Sequence, residues 1–297
     1  MTVRQALDGA ARELARAGEH DGRGEAEILL GRLLSAGRAD LYLRGEEEFD
    51  TGAARTLALW ILRRQGGEPL QYITGEAAYR DLVLEVGPGV FIPRPETELL
   101  VDVALAFLRE RFGSGAAAGA ARPRVLECCA GSGAIALSIA AERPDATVFA
   151  TELSPRAIAF AARNRARLAP SEAARVHLVQ GDLATALGAE FDVLLANPPY
   201  IAESERADLP PDVLHHEPHL ALFAAHDGLA IVERLIDEGA ARVAPGGLLA
   251  LELGAGQGDT ARTRLAADPR WVGAEVRKDL AGRSRMLIAR RSQEGTP

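Results

Sequence analysis

The stretch RVLECCAGSGAIA, residues 124–136, decides the fold because an apolar run leads directly into a turn with two glycines. A short apolar run that ends at turn residues is typical of a strand buried in a sheet. Gly131 and Gly133 let the backbone turn tightly and approach a ligand closely, because glycine accepts positive φ at little cost. The stretch therefore predicts a buried strand followed by a ligand-binding turn.

Further apolar runs alternate with helical patterns on the C-terminal side of this stretch. Alternating strands and helices predict an α/β fold with a parallel sheet that is covered on both faces. In such sheets ligands bind beyond the carboxyl ends of the strands. The candidate strands are RVLECC (124–129), TVFATE (147–152), VHLVQ (176–180), FDVLLAN (191–197), LLALELG (248–254), WVGAEVRK (271–278) and RMLIAR (285–290).

Carboxylates stand at the ends of the first two strands. Glu152 closes the second strand, 21 residues beyond Gly131, where it can bind both hydroxyls of a ribose. The spacing Gly131-x-Gly133-x-x-Ala136 also fits a dinucleotide fingerprint. Glu127, however, lies four residues before Gly131, and a carboxylate there would repel a pyrophosphate but attract an ammonium group. S-adenosylmethionine carries such an ammonium, together with an adenosine and a sulfonium.

The fourth strand ends in the rigid sequence NPPY, residues 197–200. The side-chain oxygen of Asn197 and the backbone carbonyl of Pro198 can each accept one N–H from a substrate NH₂ group, which directs its nitrogen at a methyl donor. Pro199 stiffens the loop, and the Tyr200 ring can pack on a flat substrate group. An alcohol would leave an acceptor unpaired, so the motif predicts methylation of an amide or aromatic amine nitrogen. The alternative is a simple proline turn.

The composition excludes several classes of protein. The 297 residues carry a formal net charge of −8 with scattered arginines, which argues against a nucleic-acid-binding surface. No apolar stretch is long enough for a membrane span, and the amphipathic N-terminus lacks the apolar core of a signal peptide. The only cysteines, Cys128 and Cys129, are adjacent and poorly placed to cross-link the fold, so we expect a reducing cytoplasm.

The first seventy or so residues predict a small helical domain, since apolar residues recur there at helical spacing. Clear examples are Val3, Leu7, Ala10 and Leu14, and the stretches EAEILLGRLL (25–34) and ARTLALWILRR (54–64). From Tyr79 the period changes to that of a strand, and GPG (87–89) is expected to turn the chain before VFIP. This pattern predicts a β-hairpin between two domains. GSGAAAGAA (113–121) is predicted to be a solvated loop.

Motifs in the same order along nearly the whole chain resemble the HemK/PrmC release-factor glutamine methyltransferases. The resemblance implies a class I (Rossmann-like) S-adenosylmethionine methyltransferase domain at 97–297, joined by a β-hairpin at 76–96 to a helical substrate-recognition domain at 1–75. The implied reaction methylates the side-chain nitrogen of the glutamine in the Gly-Gly-Gln motif of peptide chain release factors. The motifs are GGEPLQYITGE (66–76), FIPRPETELLVD (91–102), AGSGAIALSIA (130–140), NPPYI (197–201), EPHLALF (217–223), DGL (227–229) and KDLAGRSRM (278–286).

The resemblance also implies roles for individual residues. The glutamine amide would be held by Asn197, Pro198, Pro199 and Tyr200, with Asn197 also next to the cofactor. FIPRPETE would cover the cofactor, Glu152 would bind its ribose, and Asp182 and Leu183 would flank its adenine. The methionine part would lie along Glu127, Cys129, Ala130, Gly131, Ser132 and Gly133.

This sequence departs from the family pattern at three positions. Glu127 and Glu152 stand where aspartate is usual, and Cys129 stands where glycine is usual. Because a cysteine adopts positive φ at a higher cost than glycine, we expect a right-handed conformation at Cys129.

Three other functions remain open at this point. A ribosomal-protein glutamine methyltransferase would share nearly all these motifs, and an amino methyltransferase for nucleic acids could hold a flipped base with NPPY. A cofactor-binding module without activity is the third. The cluster HHEPH (215–219) could suggest a metal site, but methyl transfer from a sulfonium needs none. We expect it to lie in a surface loop within 201–227, which would form a wall for the protein substrate.

Overall fold

The computed structural model describes residues 1–16, 21–114, 122–279 and 281–293. These residues form two compact units. The first is Met1–Glu76 together with Pro210–His216, and the second is Ala77–Leu209 together with Glu217–Pro297. Most of the predicted solvated loop, residues 115–121, lies outside the described residues.

The described residues contain twelve α-helices, and none of them is long and apolar enough to cross a membrane. Short 3₁₀ turns include Pro95–Thr97 and Leu183–Ala186. The helices are α1 (Val3–Ala15), α2 (Gly22–Leu34), α3 (Arg38–Leu43), α4 (Thr51–Gln65), α5 (Leu70–Thr74), α6 (Glu98–Phe112), α7 (Ala134–Glu142), α8 (Pro155–Ala166), α9 (Pro170–Ala173), α10 (Pro211–His216), α11 (Ala230–Ala240) and α12 (Gly258–Ala266).

The first unit is built from α1 to α5 and α10. Helix α1 begins with a capping box, in which Thr2 accepts from the Gln5 backbone N–H and Gln5 accepts from that of Thr2. Each bond satisfies a backbone donor at the start of the helix. All four apolar residues that predicted α1 are buried, and they pack with Leu29 and Leu30 of α2. The helical pattern of the first seventy residues is thus confirmed.

Nine strands are present in the described residues. Seven of them form one sheet in the order β5-β4-β3-β6-β7-β9-β8, and β1 pairs with β2 separately. All seven strands of the large sheet match runs that the sequence predicted. The strands are β1 (Glu76–Tyr79), β2 (Leu82–Glu85), β3 (Arg124–Cys128), β4 (Thr147–Glu152), β5 (Val176–Gln180), β6 (Phe191–Ala196), β7 (Val243–Glu252), β8 (Trp271–Lys278) and β9 (Ser284–Arg291).

The large sheet is mixed rather than wholly parallel. Strands β3 to β7 run parallel, whereas β9 is antiparallel to β7 and β8 is antiparallel to β9. Two neighbouring strands that are joined by a short connection pair antiparallel, and only residues 279–283 join β8 to β9. The α/β class is confirmed, and the prediction of a parallel sheet was wrong for β9, which runs against the other six strands.

Helices cover both faces of the sheet, as predicted. In β3, Val125 belongs to one apolar core while Leu126 belongs to the other, and in β6 Val193 and Leu194 divide in the same way. The first core includes residues of α6 and α7, and the second includes residues of α11 and α12. The chain leaves β3 toward β4 and β5 and then returns to β6 on the other side, so β3 and β6 border the position where ligands bind in such folds.

The small hairpin exists, but its turn is not where the sequence placed it. Arg80 and Asp81 join β1 to β2, and Arg80 adopts a positive φ of 49°. GPG (87–89) follows β2 and leads into a segment without strand structure. Pro93 and Pro95 each remove a backbone donor from that segment, which therefore cannot complete a ladder.

Candidate active site

The glycine turn lies at the carboxyl end of β3. Gly131 and Gly133 both have positive φ, at 56° and 83°, as the sequence predicted. A methyl group added to the Cα of Gly131 would meet no atom within 4 Å, so open space lies beside this backbone. The Ala130 N–H donates to the carbonyl of Thr151 on β4, and the carbonyl of Ser132 accepts from the amide of Asn164 on α8, both at 3.0 Å. The turn is therefore held from two neighbouring elements.

Cys129 adopts the left-handed conformation, with φ of 60°, so the expectation of a right-handed residue was wrong. The residue on each side is fixed: Cys128 pairs with Thr151 in the sheet, and Ala130 is bonded to the same residue. With both neighbours fixed, Cys129 must make the turn whatever its side chain. A non-glycine residue in this region costs on the order of 1–3 kcal/mol, which the rest of the fold offsets.

Glu127 lies beneath the turn with only 2 % of its surface exposed. Its Oε2 accepts the backbone N–H of Ala136 in the first turn of α7 at 2.8 Å. Burial raises the pKa of this carboxyl to about 8, while hydrogen bonds from Ala136 and Ile135 oppose the shift. The carboxyl thus holds the N-terminus of the helix that follows the turn. Its expected role toward a cofactor ammonium stays a prediction.

Glu152 ends β4 and lies against the same turn. Its Oε2 accepts the Gly131 N–H at 2.8 Å, and its Oε1 accepts the Ser154 N–H, also at 2.8 Å. Each carboxylate oxygen can accept a second hydrogen bond. The side chain is therefore oriented by the backbone and retains capacity for two ligand hydroxyls.

Asp182 and Leu183 follow β5 at the neighbouring strand end. Both oxygens of Asp182 accept from Arg234, at 2.9 and 3.3 Å, and Arg234 also donates to Glu238 at 2.8 Å. Glu238 in turn accepts the N–H of Ala184 at 3.1 Å. Leu183 is buried and has positive φ. Helix α11 thus fixes this loop, while its predicted contact with an adenine stays a prediction.

Asn197 stands directly after β6 and is linked to two other motifs. Its Nδ2 donates to Oγ1 of Thr97 at 2.9 Å, and that hydroxyl donates to Oε2 of Glu252 at 2.7 Å. Thr97 and Glu252 are both buried. Burial raises the pKa of Glu252, and the hydrogen bond from Thr97 and the charge of Arg285 oppose that shift.

Hydrogen bonds and burial also fix the other residues of NPPY. Pro198 is buried and Pro199 is half-buried. The hydroxyl of Tyr200 donates to Oε1 of Glu252 at 3.3 Å, and burial raises the pKa of this phenol. The amide of Gln257 donates to the Tyr200 carbonyl at 2.8 Å. The motif is therefore held at Asn197 by Thr97, and at Tyr200 by side chains from β7 and from the loop after it.

The residues of HHEPH divide among different structures. His215 and His216 end α10 in the first unit, and the ring of His219 packs edge-on against Phe223. Glu217 is buried and binds the FIPRPETE segment, since it accepts from the backbone N–H of Ile92 and from Arg94. No group of three or more metal-binding side chains occurs within the described part of the chain. The connection 201–227 contains α10 and two 3₁₀ turns rather than a plain loop.

Comparisons with known proteins agree with this arrangement. A family model described as the PrmC N-terminal domain matches residues 5–75, and one described as the methyltransferase small domain matches residues 88–216. Over 297 residues the chain is 43% identical to the release factor glutamine methyltransferase of Moorella thermoacetica, with 99% of this chain and 100% of that protein covered. The chain belongs to the release factor glutamine methyltransferase family. The resemblance inferred from the motifs is confirmed.

A second relative shows the same extent of similarity. The release factor glutamine methyltransferase of Gloeobacter violaceus is 40% identical over 289 residues, with 96% of this chain and 97% of that protein covered. Among solved structures, a methyltransferase from Pyrococcus furiosus has a TM-score of 0.50 and 18% identity, covering 79% of this chain and 98% of that one. At 18% identity the comparison with the solved structure supports the fold alone.

Several residues that organise the candidate site were missed by sequence reasoning. The sequence patterns assign no role to Glu252 or Gln257, and Thr97 appears there only within the motif FIPRPETELLVD (91–102). A signal for Glu252 was present, because it is a single carboxylate near the end of the apolar run LLALELG (248–254). In the structure Ala196 pairs with Leu251, so Asn197 and Glu252 lie at neighbouring strand ends. For Thr97 there was no such signal, since it lies in a 3₁₀ turn outside the sheet.

Proposed function

We propose that this enzyme transfers a methyl group from S-adenosylmethionine to the side-chain amide nitrogen of the glutamine in the Gly-Gly-Gln motif of peptide chain release factors. The products are N5-methylglutamine, S-adenosylhomocysteine and one proton, which the amide nitrogen loses to solvent. Membership of the release factor glutamine methyltransferase family supports the reaction and its substrate. The observation that carries the chemistry is the orientation of Asn197, whose Nδ2 is committed to Thr97 and whose Oδ1 points elsewhere as an acceptor.

The turn after β3 and the strand ends beside it fit S-adenosylmethionine. The open space beside Gly131 leaves room for an extended chain such as the methionine part. Glu152 is already oriented and can accept two ribose hydroxyls. Asp182 and Leu183 would lie at the adenine, and Ala130, Ser132 and Gly133 at the methionine part. The carboxyl of Glu127 suits the ammonium group once it is ionised.

When bound, S-adenosylmethionine supplies an electrophilic methyl carbon attached to a sulfonium. An amide nitrogen is a weak nucleophile because its lone pair is delocalised into the carbonyl. The acceptors on Asn197 and Pro198 each take one N–H of the substrate amide, which fixes the nitrogen and favours its more tetrahedral form. Pro199 restricts the loop, and the Tyr200 ring packs on the planar amide. The chain thus contributes position and hydrogen-bond acceptors.

The proposed domain limits are 1–75 for recognition, 76–96 for the hairpin and 97–297 for catalysis. The helical domain at 1–75 is proposed to select the protein substrate. The match of residues 5–75 to the PrmC N-terminal domain supports this division of labour. The segment 201–227 is proposed as a wall for the same substrate. Because release factors act in translation termination, we expect the enzyme to act in the cytoplasm. The net charge of −8 supports a protein rather than a nucleic acid as the partner.

A labelling experiment tests the proposal directly. The protein is incubated with methyl-labelled S-adenosylmethionine and with purified release factor, total ribosomal proteins or a DNA duplex, and the label is located by peptide mass mapping. The label is expected on the Gly-Gly-Gln glutamine. A release factor in which that glutamine is replaced by glutamate is the matched control and is expected to remain unlabelled.

Asn197→Ala separates chemistry from cofactor binding. Turnover is expected to fall by about 100-fold or more, because the substrate amide is no longer directed. The Kd for S-adenosylmethionine is expected to change little. Label on a ribosomal protein or on DNA but not on the release factor would refute the proposed substrate, and unchanged turnover in Asn197→Ala would refute the proposed mechanism.

A further inference from the structure

We propose that Thr97 and Glu252 are positioning residues that fix the side-chain amide of Asn197 with its oxygen toward the substrate. The inference rests on the proposed function, because it concerns how the Asn197 acceptor is kept available. The three side chains form one hydrogen-bonded chain, from Nδ2 of Asn197 to Oγ1 of Thr97 and on to Oε2 of Glu252, at 2.9 and 2.7 Å.

The need for such a device follows from the shape of asparagine. The two ends of its amide are nearly equal in size but opposite in hydrogen bonding, since one is an acceptor and the other a double donor. Turned by 180°, Asn197 would present NH₂ to the substrate NH₂, and two donors would face each other. One of the two proposed hydrogen bonds to the substrate NH₂ group would then be lost. A hydrogen-bond partner within the protein must therefore determine which end of the Asn197 amide faces the substrate.

The direction of the chain is set by the carboxylate of Glu252. When Glu252 is ionised its carboxylate only accepts hydrogen bonds, so the Thr97 hydroxyl gives its single proton to Oε2. Its oxygen can then only accept from Asn197. An N–H of the Asn197 amide must point at Thr97, and Oδ1 is left for the substrate. Within the described residues, no group donates a hydrogen bond to Oδ1 of Asn197.

Glu252 is itself held in place. Its second oxygen accepts from the Tyr200 hydroxyl at 3.3 Å, and the charge of Arg285 opposes the raising of its pKa by burial and by the neighbouring charge of Glu96. Thr97 and Glu252 are 4 % and 1 % exposed, so water does not compete for these bonds. Side chains from FIPRPETE, NPPY and the end of β7 thus meet at one carboxylate. This contact also gives a physical reason for a threonine within the FIPRPETE segment.

Thr97→Val tests the inference because valine keeps the shape of threonine and removes its hydroxyl. Methylation of release factor is measured under single-turnover and steady-state conditions, and the Kd for S-adenosylmethionine is measured by calorimetry. The kcat is expected to fall by about 10- to 100-fold, with the cofactor Kd changed by less than about twofold. Thr97→Ser restores the hydroxyl and is expected to recover most of the lost kcat.

Three further variants test whether the loss of kcat arises at Asn197 and not from a general effect on the fold. Ser138→Ala removes another buried hydroxyl, which bonds within α7 to the Ala134 carbonyl, and is expected to leave kcat unchanged. The double variant Thr97→Val with Asn197→Ala is expected to be no slower than Asn197→Ala alone, because both changes act through the same amide. Should Thr97→Val not fold, Glu252→Gln removes the acceptor-only group and is expected to lower kcat about 10-fold.

The outcomes separate the inference from the proposed function. If the wild-type protein binds cofactor but does not methylate release factor, the proposed function fails and the inference falls with it. If the wild type is active and Thr97→Val retains its kcat, only the inference is overturned. Additive losses in the double variant would also overturn it, because Thr97 would then act through a group other than Asn197.

Discussion

Gln257 donates a hydrogen bond from its Nε2 to the backbone carbonyl of Tyr200 at 2.8 Å, and a second one to the carbonyl of Asp227 at 3.0 Å. Its Oε1 accepts the N–H of Gly254 at 2.9 Å. One side chain therefore ties the end of NPPY to two other loops. Gly228 leaves room for this contact, since a methyl group on its Cα would lie 2.0 Å from the Tyr200 carbonyl oxygen.

Gln257→Glu is expected to loosen NPPY, because a carboxylate cannot donate to the two carbonyls. We expect kcat for release factor methylation to fall by about 10-fold or more with little change in the Kd for S-adenosylmethionine. Steady-state methylation assays and calorimetry measure the two quantities. Gln5→Glu makes the same exchange in the capping box of α1, where an acid serves equally, and is the control. A Gln257→Glu variant as active as the control would show that NPPY holds its shape without this side chain.

Glu152→Gln tests the strand end at β4. The amide keeps one acceptor oxygen, so one of the two backbone N–H groups of Gly131 and Ser154 loses its partner and a ribose hydroxyl loses an acceptor. The Kd for S-adenosylmethionine, measured by equilibrium dialysis, is expected to rise about tenfold or more. The exposed Glu190→Gln serves as the charge-matched control. An unchanged Kd would remove Glu152 from the cofactor site.

Glu127 is expected to make the stability of the protein depend on pH. The pKa of its carboxyl is about 8 in the folded protein and near 4.5 when exposed. Between these values the folded state holds one more proton than the unfolded state, so the free energy of unfolding falls as pH rises, by up to about 1.4 kcal/mol per pH unit. Glu127→Gln removes this contribution while keeping an acceptor for Ala136.

Urea denaturation of the wild type and Glu127→Gln at several values between about pH 5 and about pH 8 measures this effect. The advantage of the variant in free energy of unfolding is expected to grow steadily toward the higher pH. Parallel curves for the two proteins would mean that the Glu127 carboxyl ionises in the folded state as easily as in the unfolded chain.

The left-handed conformation of Cys129 can be tested with a pair of substitutions. Cys129→Gly and Cys129→Ala both remove the thiol, but only glycine accepts positive φ without strain. We expect the glycine variant to have the higher free energy of unfolding, by about 1 kcal/mol. Thermal and urea denaturation give the comparison. Equal stability, or a more stable alanine variant, would contradict a strained turn at this position.

Tyr79 has a buried hydroxyl that finds no hydrogen-bond partner among the described residues. A buried polar group without a partner costs about 1–3 kcal/mol, so Tyr79→Phe is expected to raise the free energy of unfolding by about 1 kcal/mol. Tyr200→Phe is the matched comparison and is expected to destabilise the protein, because its hydroxyl does bond to Glu252. Loss of stability in Tyr79→Phe would indicate a partner for that hydroxyl.

Much of the fold followed from local patterns. The central strands β3 and β6 are mostly apolar runs because they are buried on both faces, and the glycines at 131 and 133 have the positive φ that their residue type suggests. The strand-end rule also placed Glu127, Glu152, Asp182 and Asn197 at one edge of the sheet. Their contacts with cofactor and substrate stay predictions.

The wrong predictions of strand direction, of the hairpin turn and of the Cys129 conformation have a common origin. The direction of β9 depends on its insertion between β7 and β8 after a short connection, and the turn of the small hairpin depends on which residues pair. Neither is encoded in the period of apolar residues. Cys129 was judged from its own preference, whereas the hydrogen bonds on either side of it determine its φ.

The sequence by itself determined the class of fold, the order of the strands along the chain and the family, because burial periodicity and motif order are properties of the linear chain. Only the tertiary structure decided which end of the Asn197 amide bonds to Thr97 and which end is left as a hydrogen-bond acceptor. That choice is made by Thr97, one hundred positions away, and by the carboxylate of Glu252. Hydrogen-bond direction depends on which groups meet in space, and folding brings these three together from separate segments.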